Sequence, residues 1–419
     1  MYKKLLKNSI LYTLSTIISK AVSFLLLPIF TTYLSKTDYG VLGLITSILV
    51  ITNIFIGLKP SLFFIVKTPQ LEKKTISEYI FNSFILAIYT FLIGMIILVI
   101  IRNLFFTELE TYIFILIAFM SLFMVINEII EVIFQVEKEA IKYSIYQLAR
   151  VFLSMILALF FIILLKMGWK GKYFADIITF FIFGIFAIFY LYKYKYIKSK
   201  IDFNKQRELF NYLFPLTFHV LGLVLMNSID RIFLANMIGL ESVGIYTIAY
   251  TIGSILGIIH DALLKVWSPE FYSRIKSNDL KIRIKLLKFQ YIYIIFSFIT
   301  FSIFLLLYPF IFHLMVNAKF ESAINIIPII ALGLTFESIR KIFIGYHYNK
   351  GKNKRIAFLT LSAGIVNALL NYFLIPLYGI EGAAYATVLS YFCVLVLTVI
   401  DVNYIETIPW NLKGEKIYD

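Results

Sequence analysis

About twelve stretches of twenty or more mostly apolar residues, joined by short polar loops, restrict this chain more than any other feature. Coiled as a helix, a run of that length crosses the hydrocarbon of a bilayer. The runs lie near residues 9–34, 40–66, 79–101, 111–135, 144–166, 173–192, 210–236, 243–267, 289–315, 324–347, 356–377 and 381–403. Only helices and closed barrels satisfy the backbone inside a bilayer. Barrel strands alternate apolar and polar residues over about ten positions, whereas these runs are continuous and longer. The expected fold is therefore all-α and polytopic. Composition agrees: 61% of residues are hydrophobic and 15% charged, against roughly 45–50% and 25% in soluble domains.

The net charge of +15 would suit nucleic acid, but its placement argues otherwise. Lysine and arginine collect in alternate short loops, as topology determinants do. One set holds Lys67, Lys73 and Lys74, then Lys193 to Arg207, then Lys350 to Arg355, while the opposite set has only Lys36, Arg102, Lys166, Lys170, Lys172 and Lys319. That asymmetry places both termini in the cytoplasm, in keeping with an even number of spans. Lys3, Lys4 and Lys7 precede an apolar run too long for a cleaved signal, so the first span is expected to be retained. Cys393 is single, which excludes an intrachain disulfide. No GxxxxGK[ST] loop or metal-ligand spacing occurs, so neither an enzyme nor a bound cofactor is expected.

The chain repeats itself. Leu34-Ser35-Lys36-Thr37-Asp38-Tyr39-Gly40 is echoed by Ile238-Gly239-Leu240-Glu241-Ser242-Val243-Gly244. Glu128 to Phe134 lines up with Glu337 to Phe343, and Gly168-Trp169-Lys170-Gly171 with Gly379-Ile380-Glu381-Gly382. The shared order of these matches predicts two six-helix lobes, residues 1–192 and 209–419, joined by a basic cytoplasmic linker at 193–208. Six spans is an even number, so the lobes insert the same way up, around a path near the bilayer midplane.

Charges inside the spans mark candidate functional residues, because hydrocarbon excludes them unless a partner or a wet cavity is present. Lys20 lies mid-span on a polar ridge with Ser19 and Ser23. His219, Asn227 and Arg231 share helical spacing in the seventh span, with Asp230 adjacent; an internal Asp230–Arg231 brace is the alternative. Lys59 and Lys265 end repeat-related helices, where snorkelling toward headgroups competes with a substrate role. Glu128 and Glu131 share a face of the fourth span without a local cation and suit proton or sodium coupling. Glu337 can neutralise itself against Arg340 at i,i+3. Arg150 is expected near an interface, and His260 with Asp261 in a polar cluster.

Asn227-Ser228-Ile229-Asp230-Arg231-Ile232, Gly244-Ile245-Tyr246, Trp267-Ser268-Pro269 and Tyr378-Gly379-Ile380-Glu381-Gly382-Ala383-Ala384 resemble signatures of the polysaccharide (O-antigen and capsule, Wzx-type) flippase branch. That branch belongs to the multidrug/oligosaccharidyl-lipid/polysaccharide exporter superfamily. The resemblance implies translocation of an undecaprenyl-pyrophosphate-type lipid-linked oligosaccharide across the bacterial cytoplasmic membrane by alternating access. Lys20, Arg231, Lys59 and Lys265 would then attract the pyrophosphate. Glu128, Glu131, Asp230 and Glu337 would serve as coupling or cavity acids for H+ or Na+, and Asn227, His219, Ser19 and Ser23 as cavity polar groups. Partners would be the glycolipid and the bilayer, with a polysaccharide polymerase and glycosyltransferases nearby. An ion-coupled multidrug exporter of the same superfamily is the alternative.

Overall fold

Hydrocarbon offers a peptide group no hydrogen-bond partner, and every regular element among the described residues is a helix. The computed structural model describes residues 2–198, 200–275, 279–406 and 410, leaving the side chains of residues 2–10, Ser23, His219, Pro269 and Leu280 outside the description. The elements are α1 (Tyr2–Leu25), α2 (Leu27–Tyr33), α3 (Lys36–Phe55), α4 (Ser61–Lys67), α5 (Lys73–Phe105), α6 (Thr111–Val136) and α7 (Ala140–Leu159). They continue with α8 (Trp169–Lys193), α9 (Phe203–Met237), α10 (Leu240–Arg274), α11 (Leu280–Met315), α12 (Ile327–Asn349) and α13 (Asn353–Ile405).

Ten segments among the described residues are long and apolar enough to cross a membrane. The last, α13, reverses at Gly379 and holds two spans. Glu337, Arg340 and Lys341 keep α12 out of that group, yet its 23 residues span the same length. Counting both brings the total to the expected twelve. The protein is a multi-pass, all-helical membrane protein.

Breaks in the spans have local causes. Pro28 enters the first turn of α2 and separates it from α1. Between α3 and α4, Gly57, Leu58 and Lys59 all have positive φ (75°, 57° and 57°) and lead into Pro60. Such backbone is costly for Leu and Lys and persists only where the surroundings fix it. Here the Gly57 amide donates to Thr90 Oγ1 at 2.8 Å, and Lys59 is held by side chains described below.

The duplication is written in the backbone itself. Gly168 has φ 57° and ψ −140°, and its repeat mate Gly379 has φ 61° and ψ −134°. This region is open essentially to glycine alone. Three residues on, each copy again places a glycine against the preceding helix. A Cβ on Gly171 would lie 3.0 Å from the Phe161 Cβ, and one on Gly382 would lie 2.2 Å from the Leu374 carbonyl oxygen. In a straight helix Leu374 and Gly382 would be about 12 Å apart, so α13 is a helical hairpin. Gly168→Ala and Gly379→Ala should each lower stability by about 1–3 kcal/mol, read as a fall in the thermal midpoint in detergent.

The chain divides into two compact units: Met1–Leu221 with Gly239–Gly244, and Gly222–Ile238 with Ile245–Asp419. In the first, α6 is central and touches α3, α4, α5, α7 and α8. Apolar helices gain little from hydrophobicity inside lipid and associate through close packing instead. Ile126, Ile130, Phe134, Tyr143, Tyr146 and Ala187 form such a packed cluster. Residues 193–208 belong to this unit and are fastened to α5. Asn82 donates to the Lys200 carbonyl at 3.0 Å and accepts from the Asp202 amide at 2.9 Å and Gln206 Nε2 at 3.1 Å. Glu78 pairs with both Lys198 and Lys205. In the second unit, α10, α11, α12 and the end of α13 meet around Phe271, Tyr293, Ile339, Tyr346 and Val402.

Candidate functional site

The polar centre of the second unit begins with two glycines. A Cβ on Gly222 of α9 would lie 2.7 Å from the Leu361 amide nitrogen, and one on Gly364 of α13 would lie 3.0 Å from the Gly222 carbonyl oxygen. The backbones of α9 and α13 therefore touch. Eight residues further along α9 and seven further along α13, Asp230 meets Asn371.

Asp230 is completely buried. Its carboxylate accepts from Tyr246 Oη at 2.7 Å, Asn371 Nδ2 at 2.6 Å and Thr387 Oγ1 at 3.0 Å. Adjacent residues on a helix do not share a face, and Arg231 is not its partner. The internal Asp230–Arg231 brace considered above is thus replaced by a shell of neutral donors. Asn371 Oδ1 and Asn367 Nδ2 are buried beside it with no hydrogen-bond partner.

Arg231 points elsewhere. Its Nε donates to Thr247 Oγ1 at 3.2 Å and its NH1 to the Asn227 carbonyl at 2.9 Å. The guanidinium carbon lies 4.8 Å from the Tyr250 ring centre and 5.8 Å from that of Tyr246. Among the described residues no carboxylate comes within ion-pair distance of it. Asn227 is exposed, and its Oδ1 accepts from Tyr250 at 2.9 Å and Tyr391 at 2.8 Å. A half-buried cation is thereby held by rings, a hydroxyl and a carbonyl, all neutral. Such a group retains its capacity to bind an anion bidentately.

The first unit treats its charges differently. Glu128, read from the sequence as lacking a local cation, pairs with Lys59 at 2.6 Å, and Lys59 also donates to Asn53. Glu131 pairs with Arg150 at 2.7 Å. Arg150 lies over the Phe180 ring at 5.1 Å and is not a free interfacial group. These partners come from elsewhere in the chain, Lys59 from the break between α3 and α4 and Arg150 from α7, which single-helix spacing cannot reveal. Arg150 also lines a cavity of about 260 Å³ with Ser154, Lys172, Asp176 and Thr179, in which Lys172 pairs with Asp176. Breaking a half-buried pair leaves the remaining charge only partly solvated. Lys59→Met should therefore destabilise the protein by about 2 kcal/mol, and Lys59→Met/Glu128→Gln should recover most of that loss in a thermal unfolding series.

The remaining candidates are dispersed. Lys20 and Lys265 are exposed on α1 and α10. Ser19 donates to the Ser15 carbonyl at 2.8 Å, turning its hydroxyl onto its own helix. Glu337 binds Arg340 through two bonds of 2.6 and 2.8 Å, with Arg340 buried. His260 is buried against Tyr293 and Phe296, and Asp261 pairs with Lys341. The side chains of His219 and Ser23 lie outside the described residues.

Sequence reasoning missed Tyr246, Tyr250, Tyr391, Asn367, Asn371 and Thr387. Asn367 and Asn371, four apart in an apolar helix, were the available signal. The tyrosines were masked by abundance, since the chain contains 29.

Comparison with known proteins agrees with this architecture. The family model described as polysaccharide biosynthesis protein matches residues 5–273. A Haemophilus influenzae protein named Lsg locus putative protein 1 is 25% identical over 296 residues, covering 67% of this chain and 69% of its own. A second H. influenzae protein, an uncharacterized membrane protein, is 23% identical over 288 residues, covering 67% and 68%. Among solved structures, an inward-facing multidrug resistance MATE family transporter of the MOP superfamily superposes with a TM-score of 0.72 at 14% identity, covering 92% of this chain and 95% of that one. The lipid II flippase MurJ in an inward closed conformation gives 0.70 at 15% identity, covering 94% and 87%. These likenesses establish the fold that MATE transporters and MurJ share. The match over most of its length shows that this chain belongs to the polysaccharide biosynthesis protein family.

Proposed function

We propose that the protein is a flippase that moves an undecaprenyl-pyrophosphate-type lipid-linked oligosaccharide across the bacterial cytoplasmic membrane during surface polysaccharide synthesis. Two six-helix lobes, 1–192 and 209–419, would alternate access, with both termini cytoplasmic and the lipid tail remaining in the bilayer. The observation that carries this reading is Arg231: a guanidinium in a spanning helix, held by neutral groups only. A passenger bearing phosphate supplies the missing counter-charge. Lys20 and Lys265, both exposed, would assist. Lys59 already has Glu128 as its partner and is the weakest of the four cations for this role.

Asp230 is the best placed coupling residue. A buried carboxylate ringed by neutral donors calls for a proton or a cation, and the groups around it are oxygen-rich. Thr387 Oγ1, Tyr246 Oη and the unpartnered Asn371 Oδ1 are hard donors that fit Na+ as well as H+. If sodium binds there, sodium chloride should raise the thermal midpoint of the purified protein above its value in potassium chloride. Asp230→Asn should abolish the difference. An equal midpoint in both salts, with transport following a proton gradient and lost in Asp230→Asn, would assign the site to protons. Ion-coupled transport that survives Asp230→Asn would remove it from coupling.

A further inference from the structure

The first unit carries a lateral groove of about 400 Å³ formed by α6, α7 and α8. Its floor is the packed core at Phe134 and Tyr146, and Ala149, exposed, lines it beside them. Exposed Ile145, Ile182 and Phe186 form its walls. Because these residues belong to spanning helices, the groove opens onto lipid rather than water. The Tyr146 hydroxyl is already committed to Asn127 Oδ1 and to the Phe183 carbonyl. The one charged group lining the groove is Lys142, on the first turn of α7. Lys142 is half exposed and lies 3.4 Å from Glu139, beside the Tyr190 hydroxyl. That end of α7 and α8 is also where Lys138, Lys193 and Lys195 fall.

An apolar trough with a cation at the end nearest a basic loop matches the anatomy of one kind of molecule. We propose that the groove is a binding site for a single anionic phospholipid, its acyl chain against Tyr146 and Ala149 and its phosphate on Lys142. Juxtamembrane lysines attract anionic headgroups. The long side chain of Lys142 reaches the headgroup level while its methylenes cover the groove mouth. Ala149 matters for what it lacks, since a larger side chain there would fill the trough. The inference is independent of the passenger proposed above.

The test uses the full-length protein, extracted from vesicles of equal parts phosphatidylglycerol and phosphatidylethanolamine and weighed by native mass spectrometry. The expected result is one retained phosphatidylglycerol per chain. Retention should fall about tenfold in Lys142→Glu, where the headgroup attraction is reversed, and should vanish in Ala149→Trp. Should Ala149→Trp fail to insert, Ile182→Trp fills the same trough from an exposed wall. Equal retention of phosphatidylethanolamine would overturn the assignment, as would phosphatidylglycerol retained undiminished in the filled groove. Displacement by undecaprenyl phosphate would also overturn it, marking the groove as a passenger site.

Discussion

Arg231→Glu should insert into the membrane normally and deliver no polysaccharide to the cell surface. Insertion survives because Arg231 forms no ion pair among the described residues, and the buried Asp230 keeps its three neutral donors without it. The contrast with Lys59 is instructive: there, the same kind of change leaves Glu128 without its cation. Transport fails because the substitution acts twice. It removes a charge-assisted contact worth about 1.5–3 kcal/mol and sets a like charge against the pyrophosphate. Together these predict a loss of a hundredfold or more, at roughly 1.4 kcal/mol per decade. Arg231→Lys keeps the charge but loses the planar fork, and a loss of about tenfold is expected, equivalent to one such contact. Immunoblotting for surface polysaccharide in a strain lacking the native gene, normalised to membrane-inserted protein, reads both variants. Wild-type export by Arg231→Glu would exclude this residue from the passenger's path.

Gly40→Val should have the largest effect on stability. Within the first unit, the short segment Gly239–Gly244 lies across the start of α3. A Cβ on Gly40 would lie 1.7 Å from the Leu240 carbonyl oxygen, and one on Gly244 would lie 2.0 Å from the Lys36 carbonyl oxygen. In the repeat alignment Gly40 corresponds to Gly244 and Lys36 to Leu240, so the two contacts are mirror copies of one contact. Both obstructions are backbone atoms, which no rotamer change can clear. Lys36 and Glu241 form an exposed ion pair of 2.9 Å at the same crossing, which contributes under 1 kcal/mol. The glycines hold the crossing and the ion pair decorates it. Overpacking of this kind costs about 3 kcal/mol, and Gly244→Val should cost the same. The double variant should lose little more than either single, because one separation of the helices relieves both clashes. Thermal unfolding in detergent measures all three, and a wild-type midpoint in Gly40→Val would refute the contact.

Most of the fold was legible because the bilayer allows so few solutions. Each of the twelve spans expected from apolar length corresponds to a helix, to half of α13, or, for 9–34 and 40–66, to a helix and the short helix that follows its break. The repeat was legible at Gly168 and Gly379, where glycine is chosen for a backbone angle. The break at Gly57, Leu58 and Lys59 was not, since nothing in Leu58 or Lys59 signals positive φ. It depends on Thr90 and Glu128, supplied by α5 and α6. The same limit explains the charges. That Glu131 lies within a span was plain from the sequence, and Arg150 was expected near an interface; that they meet each other is a fact of tertiary packing. Asn227, Asp230 and Arg231 were found because they are expensive where they stand. Their different settings, Asp230 sealed by neutral donors and Arg231 half-buried against two rings, emerge only from the tyrosines and asparagines that surround them.

The most direct test is a flipping assay with the purified protein in sealed vesicles, following a fluorescent undecaprenyl-pyrophosphate oligosaccharide from one leaflet to the other. The account predicts movement with the wild-type protein and none with Arg231→Glu. If the glycolipid stays where it was placed while a cationic drug crosses instead, the protein is a drug exporter on the same fold and the account is wrong.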